Sequence, residues 1–187
     1  VQCPKTWLNE EIDVIRSLDG MTPKIHPTAF ISEFAYVIGD VEIGEGSSVW
    51  PGSVVRADMG SIKIGKNTCV QDNSVVHGDD DVVIGDDVVI GHRVLCHAKS
   101  VGDRTIQGNG ATVNDGVEIG ADCIIASASM VLENMEIPDG SILHGTPGRV
   151  RGEVEERHKG LSKYYRDIYV EKTKRYKRQG NLESERP

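Results

Sequence analysis

Three histidines, His77, His92 and His97, lie close together in the middle of the chain. Neutral imidazole nitrogens are common donors to zinc and related ions, and three of them leave a fourth position open. An ion held that way brings the pKa of a water down to about 7, which makes a nucleophile available at neutral pH. That chemistry requires the rings to converge, so the elements that position them matter most. His26, His144 and His158 have no comparable company and are read as structural.

Aliphatic residues recur at every sixth position: Ile25, Ile31, Val37, Ile43, Val49 and Val55. The phase slips and resumes at Ile64, Val70 and Val76, then slips again before Ile84, Ile90 and Cys96. It loses one residue before Val101 and runs on through Gln107, Val113, Ile119, Ile125, Val131, Ile137 and Leu143. Gln107 is the polar exception. Neither a 3.6-residue nor a sustained two-residue period accounts for this run. Mostly β-branched residues at one phase, commonly followed by Gly, predict a β-solenoid in which each hexad forms one side of a coil. The pattern resembles the hexapeptide-repeat family over residues 25–148. The resemblance implies three hexads per coil and an all-β solenoid, a left-handed parallel β-helix of triangular section.

With the aliphatic residue pointing inward, the next residue points out. His77 follows Val76, and His97 follows Cys96 three hexads later. The two imidazoles therefore share one side of the prism, one coil apart, or about 4.8 Å for neighbouring strands. That is close enough to share an ion with metal–nitrogen bonds of about 2.0–2.1 Å. His92 belongs to the preceding hexad and so to another side. If subunits pack side against side, as in a threefold assembly, a neighbour's His92 can complete the set, and the pattern thus predicts a homo-oligomer together with the metal. The same phase adds Arg56 and Asn114 to the column of His77 and His97, and places Gln71 on the side of His92.

At these residues the chain resembles the γ-class carbonic anhydrases and their bacterial and archaeal relatives. The matching segments are Val55-Arg56-Ala57-Asp58, Val70-Gln71-Asp72, Val76-His77 and Ile90-Gly91-His92-Arg93-Val94-Leu95-Cys96-His97. The resemblance implies a homotrimer in which His77 and His97 bind zinc from one subunit and His92 from the next. Iron(II) or cobalt would also accept such donors. It further implies that Gln71 orients water, that Arg56, Asp58 and Asp72 form ion pairs at the subunit contact, and that Tyr169 approaches from a C-terminal helix. Met59 stands where the best-characterised branch has a glutamate, and Cys69 where it has an asparagine. The long acidic loop that carries a proton shuttle is absent, as in the shorter branch. Asp80, in the turn Asp79-Asp80-Asp81 just past His77, is the candidate relay.

The implied activity is reversible hydration of carbon dioxide to bicarbonate. One alternative is hydrolysis of an acyl-CoA thioester at the same metal, with the basic C-terminal segment on the nucleotide phosphates. Another is a non-catalytic assembly subunit with a vestigial site. An ordinary hexapeptide acyltransferase would need one catalytic base and no matched set.

The remaining features bound these readings. Aromatic residues make up only 5% of the chain, which suits a narrow aliphatic core. A net charge of −8 argues against nucleic acid as a partner. Cys3, Cys69, Cys96 and Cys123 show no CxxC spacing, so neither a zinc–thiolate nor a redox site is expected. No apolar run is long enough to span a membrane, and the start lacks a signal-peptide pattern, so cytoplasm is the expected compartment. Residues 1–24 are expected to cap the first coil, with a short helix over Trp7–Ile15. Residues 149–178 carry 11 of the 21 Lys and Arg against five acids, and form a linker and C-terminal helix. The i, i+3/i+4, i+7 spacing of Leu161, Tyr164, Tyr165, Ile168 and Tyr169 predicts that an apolar stripe of this helix packs along one prism side. The tail, 179–187, is expected to be disordered.

Overall fold

A computed structural model describes residues 13–158, 160–180 and 182–184. The six-residue period becomes three inward columns of parallel strand pairs. The first face stacks Ile31, Val49, Val70, Ile90, Gln107, Ile125 and Leu143. The second stacks Val37, Val55, Val76, Cys96, Val113 and Val131. The third stacks Ile25, Ile43, Ile64, Ile84, Val101, Ile119 and Ile137. All of these side chains are buried except Ile25 at the open end, which packs against the core from a half-buried position. The chain is a left-handed β-helix of hexapeptide repeats with one C-terminal helix.

Departures from the period gather at one corner, between the second and third faces. There the strands Tyr36–Ile43 and Val54–Ile64 run from one face to the next without a break. Gly39 is required at this corner. Its φ is +88°, and a Cβ would fall 1.9 Å from the carbonyl oxygen of Ala57. The later slips, at Gly78–Asp81 and between His97 and Ser100, stack on the same corner. Both histidines of the matched pair sit at its edge.

Described segments near both ends, 15–16 and 182–184, cover open edges of the first coil. Ile15–Arg16 pairs in parallel with Val37–Ile38 on the second face. This corrects the expected helix: Trp7–Ile12 lie outside the described residues, and Ile15–Arg16 is a strand. An edge strand supplies partners for the exposed N–H and C=O groups of the first coil, which a helix cannot do. Residues 182–184, expected to be disordered, instead dock on the first face. Glu183 bridges Ser32, and the Ser184 N–H donates to the Ile31 carbonyl at 2.9 Å. At the far end Arg149–Glu153 turns back antiparallel against Ser141–His144.

Helix α1, Leu161–Gln179, lies on the outer surface of the first face. Tyr169 and Tyr176 pack edge-on against Trp50, with Phe30 alongside. The buried stripe is displaced from the expected one. Ser162, Tyr169 and Thr173 are buried, whereas Tyr164 is exposed and Tyr165 only partly covered. Polar anchors set this rotation: Ser162 Oγ donates to the Asp87 carbonyl at 3.1 Å, and the Arg166 guanidinium pairs with the Asp87 carboxylate at 3.1 Å. No helix among the described residues is long and apolar enough to cross a membrane.

Candidate metal centre

Register decides which rings meet. Arg56 is paired with His77 across neighbouring strands, and Val76 with Cys96, which puts His97 one rung below His77. His77 Nδ1 lies 2.7 Å from His97 Nε2, with ring centroids 4.7 Å apart. His77 is buried, and the side chain of His97 is 17% exposed, so the facing nitrogens are largely shielded from bulk water.

The outer nitrogen of each ring is held by a carboxylate. His77 Nε2 contacts Asp58 Oδ1 at 2.8 Å, and His97 Nδ1 contacts Asp115 Oδ1. A ring that donates its outer N–H to a carboxylate presents its other nitrogen as a lone pair, the arrangement that metal-binding histidines adopt. One shared proton makes the 2.7 Å separation a hydrogen bond; with both lone pairs free, the pair is a two-nitrogen donor set. The Asp58 carboxyl is held below its usual range, foremost by the His77 hydrogen bond and also by Arg56, with which it forms an ion pair. It therefore stays an acceptor.

His92 lies on the other side of the second face, at the corner where the first face ends. Its Nδ1 pairs with Asp72 Oδ2 at 3.0 Å, and its Nε2 lies 3.4 Å from the Tyr169 hydroxyl. The His92 side chain is 42% exposed, the most open of the three rings. Gln71 is buried beside it and directs Nε2 at Cys69 Sγ, 3.6 Å away. Burial raises the Tyr169 hydroxyl well above its ordinary pKa, so the phenol remains protonated and can donate.

The structure thus brings together Arg56, Asp58, His77 and His97 in one group, and Gln71, Asp72, His92 and Tyr169 in another. Asp58 and Asp72, read as subunit-contact residues, each engage a histidine of their own chain. Asn114 extends the His97 column and donates from Nδ2 to the Val131 carbonyl at 2.8 Å. Of the acidic turn, Asp79 offers a carboxylate oxygen close to the pair: its oxygen and the donor nitrogens of His77 and His97 all lie within 4.8 Å of one another. Asp80 lines the adjoining cavity. Asp81 turns away and accepts from the Ser61 N–H and Oγ at 2.9 and 2.8 Å. Sequence spacing alone does not single out Asp115, although its place directly after Asn114, at the foot of the His97 column, is the available signal.

Among known proteins, the bacterial transferase hexapeptide family (six repeats) matches over residues 22–57. "Gamma carbonic anhydrase 1, mitochondrial" of Arabidopsis thaliana is 37% identical over 156 residues, 78% of this chain and 57% of that protein. The chain therefore spans little more than half the length of that plant relative. A carbonic anhydrase of Geobacillus kaustophilus is 35% identical over 160 residues, 84% of this chain and 88% of the relative. Among solved structures, a hexapeptide transferase family protein from Anaplasma phagocytophilum superposes with a TM-score of 0.84 at 31% identity. That match covers 88% of this chain and 98% of the other.

Proposed function

Because this chain belongs to the γ-class carbonic anhydrase family of hexapeptide-repeat proteins, we propose that it catalyses the reversible hydration of carbon dioxide at a metal centre between subunits. The observation that carries the reading is the facing pair, His77 Nδ1 and His97 Nε2, each ring tied by its outer nitrogen to a carboxylate. The donor set fits a divalent ion: two neutral nitrogens converge, and zinc is the first candidate, with iron(II) and cobalt as alternatives. When bound, such an ion supplies a Lewis-acidic position at which water loses its proton near neutral pH.

The chain's own residues do the rest. His77 and His97 hold two positions, and His92 of a neighbouring copy takes the third, in a homotrimer packed side against side. Asp58, Asp115 and Asp72 fix the ring orientations by accepting the outer N–H groups. The Gln71 amide and the Tyr169 hydroxyl, both beside His92, orient water and bicarbonate by hydrogen bonds. Arg56 steadies Asp58. The acidic turn beside His97 carries the proton outward, through Asp80 by its place in the sequence and with Asp79 nearer the rings.

Three measurements on one variant, with turnover of the parent protein, test this. His92→Ala is expected to lose its metal, as read by elemental analysis, and to lose stopped-flow hydration above buffer, while sedimentation still reports the parent assembly. Full metal occupancy in that variant would rule out an intersubunit site. A fully loaded parent protein with no turnover would rule out the reaction.

A further inference from the structure

A second cavity, of about 390 Å³, opens between α1 and the first face. Ile106 and Ile124 form its floor and Leu161 and Tyr165 its outer wall, while His92 and Lys172 stand at one end. Lys172 Nζ lies 4.3 Å from the centre of the Tyr169 ring, a cation–π contact that holds the ammonium at the rim. The lining contains no aspartate or glutamate, in a chain with 29 acidic residues against 21 basic ones. The cavity beside His97 is the opposite case, lined by Asp79, Asp80, Asp81 and Asp115. The first cavity thus carries an ammonium and no carboxylate in its lining, with Asp72 paired to His92 just outside it, whereas four aspartates stand with His97 and Lys99 around the second.

The size of this cavity falls within the range of small-molecule sites; Ile106, Ile124, Leu161 and Ile168 give it a hydrocarbon side, Asn109 and Ser127 a polar edge, and Gln71 and Tyr169 stand with His92 and Lys172. Carbon dioxide and bicarbonate, with three and four heavy atoms, need neither the volume nor the apolar floor. We propose that the cavity is a binding site for an amphipathic monocarboxylate. The tail lies against Ile106, Ile124 and Leu161, and the carboxylate sits at the Lys172 ammonium. Every group named belongs to one chain, so the site requires neither the metal nor the reaction proposed above. Its polar end stands against His92, which places an occupant next to the ring that the proposed metal centre would borrow.

Titration calorimetry of the full chain with octanoate tests the site, with acetate as the tail-less probe and octylamine as the probe of opposite charge. The titrations are run on protein as purified and after chelation, so that binding to a metal is distinguished from binding to the cavity. Octanoate is expected to bind once per chain, at least tenfold tighter than either other probe, with or without metal. Ile124→Trp fills the floor and is expected to abolish binding. Lys172→Glu reverses the charge at an exposed helix position, giving up the contact with the Tyr169 ring, and is expected to weaken octanoate at least tenfold and strengthen octylamine. Should Ile124→Trp fail to fold, the charge reversal decides. Octanoate that binds no tighter than acetate, binds only to the metal-loaded protein, or is indifferent to Lys172→Glu overturns the proposal. Loss of hydration activity with octanoate binding intact would count against the reaction alone.

Discussion

The first and second faces of the prism have the same kind of inward column but opposite outer surfaces. Outward from the first face project Phe30, Cys69, Val89 and Ile106, all covered by α1 or packed against what it covers. Outward from the second project Val54, Val75, Leu95, Thr112 and Met130, with no element among the described residues laid over them. Leu95, Met130 and nearby Leu132 are 39%, 37% and 42% exposed. The third face is mostly charged or polar, with Lys24, Glu42, Lys63, Glu118 and Glu136 in its outward column. The inward residue of each hexad builds the coil, and the outward residue sets its surroundings: a helix over the first face and, in the proposed trimer, another copy of the chain over the second. The histidine pair stands at the edge of the uncovered apolar face, where a second copy would bring the missing ring.

The largest effect is expected where the covering is internal. Trp50 is 4% exposed and touches Phe30, Tyr169 and Tyr176, so Trp50→Ala removes the ring around which α1 is seated. Urea unfolding should report a loss of about 3–5 kcal/mol. A loss below about 1 kcal/mol would mean that the helix is held by its polar anchors and not by its aromatic contacts.

On the second face, where the proposed covering is another copy, the same kind of change should spare the coil and break the proposed assembly. Leu95→Glu places a charge at the centre of the second face. We expect dissociation to increase at least a hundredfold, about 2.8 kcal/mol, in sedimentation equilibrium, with the circular dichroism of the coil unchanged. Val83→Glu, a half-exposed position on the third face, is the control and should leave the assembly intact. Equal effects at Leu95 and Val83 would remove the distinction between the two faces.

The solenoid was legible because its period is carried by side chains that all do one job. Every inward position named from the spacing lies in one of the three columns, and the phase rule placed His77 beside His97 and put His92 on a different side. What the period did not carry were the groups that depend on turns. Asp115 reaches His97 from the turn after Val113, and Asp79 rather than Asp80 approaches the pair because the corner at Gly78 bends the chain back. The entering segment, Trp7–Ile15, reads as a short helix because the first coil needs a cap, yet Ile15–Arg16 meets the unpaired edge of that coil and is claimed by it as a strand. The stripe of α1 was likewise placed from apolar spacing, whereas Ser162 and Arg166, both bound to Asp87, fix its rotation.

A thiol on each face gives a pH-dependent version of the comparison. Burial pushes the Cys69 thiol, beneath α1, from 9.0 up to about 12, and also raises that of Cys96, inside the second face. The unfolded chain releases these protons at a lower pH than the folded one. The contribution of Cys69 is therefore complete below pH 9 and falls as pH rises through the interval to about 12, by about 1.4 kcal/mol per pH unit, and that of Cys96 changes in the same direction. Cys69→Ala should flatten that slope in urea titrations at about pH 9.5 and 10.5. An unchanged slope would show that the thiol is open to solvent and α1 is loosely seated.

The smallest expected effect concerns Gln107, the polar member of the first face's inward column. It is fully buried between Ile90 and Ile125, and its Nε2 donates to Cys96 Sγ at 3.3 Å while Oε1 has no partner among the described residues. A buried carbonyl without a hydrogen bond costs about 1–3 kcal/mol, and the thiol contact on the other side of the amide offsets only part of it. Gln107→Leu is close in volume and leaves no orphan, so it should raise stability by about 1 kcal/mol. The second face would then lose the side-chain hydrogen bond that reaches it from this column at Cys96, directly before His97. If metal affinity falls while stability rises, Gln107 has been holding the His97 strand in place at a cost to the core. If both are unchanged or stability drops, the amide oxygen is satisfied in solution and the polar position is part of the packing of the first face alone.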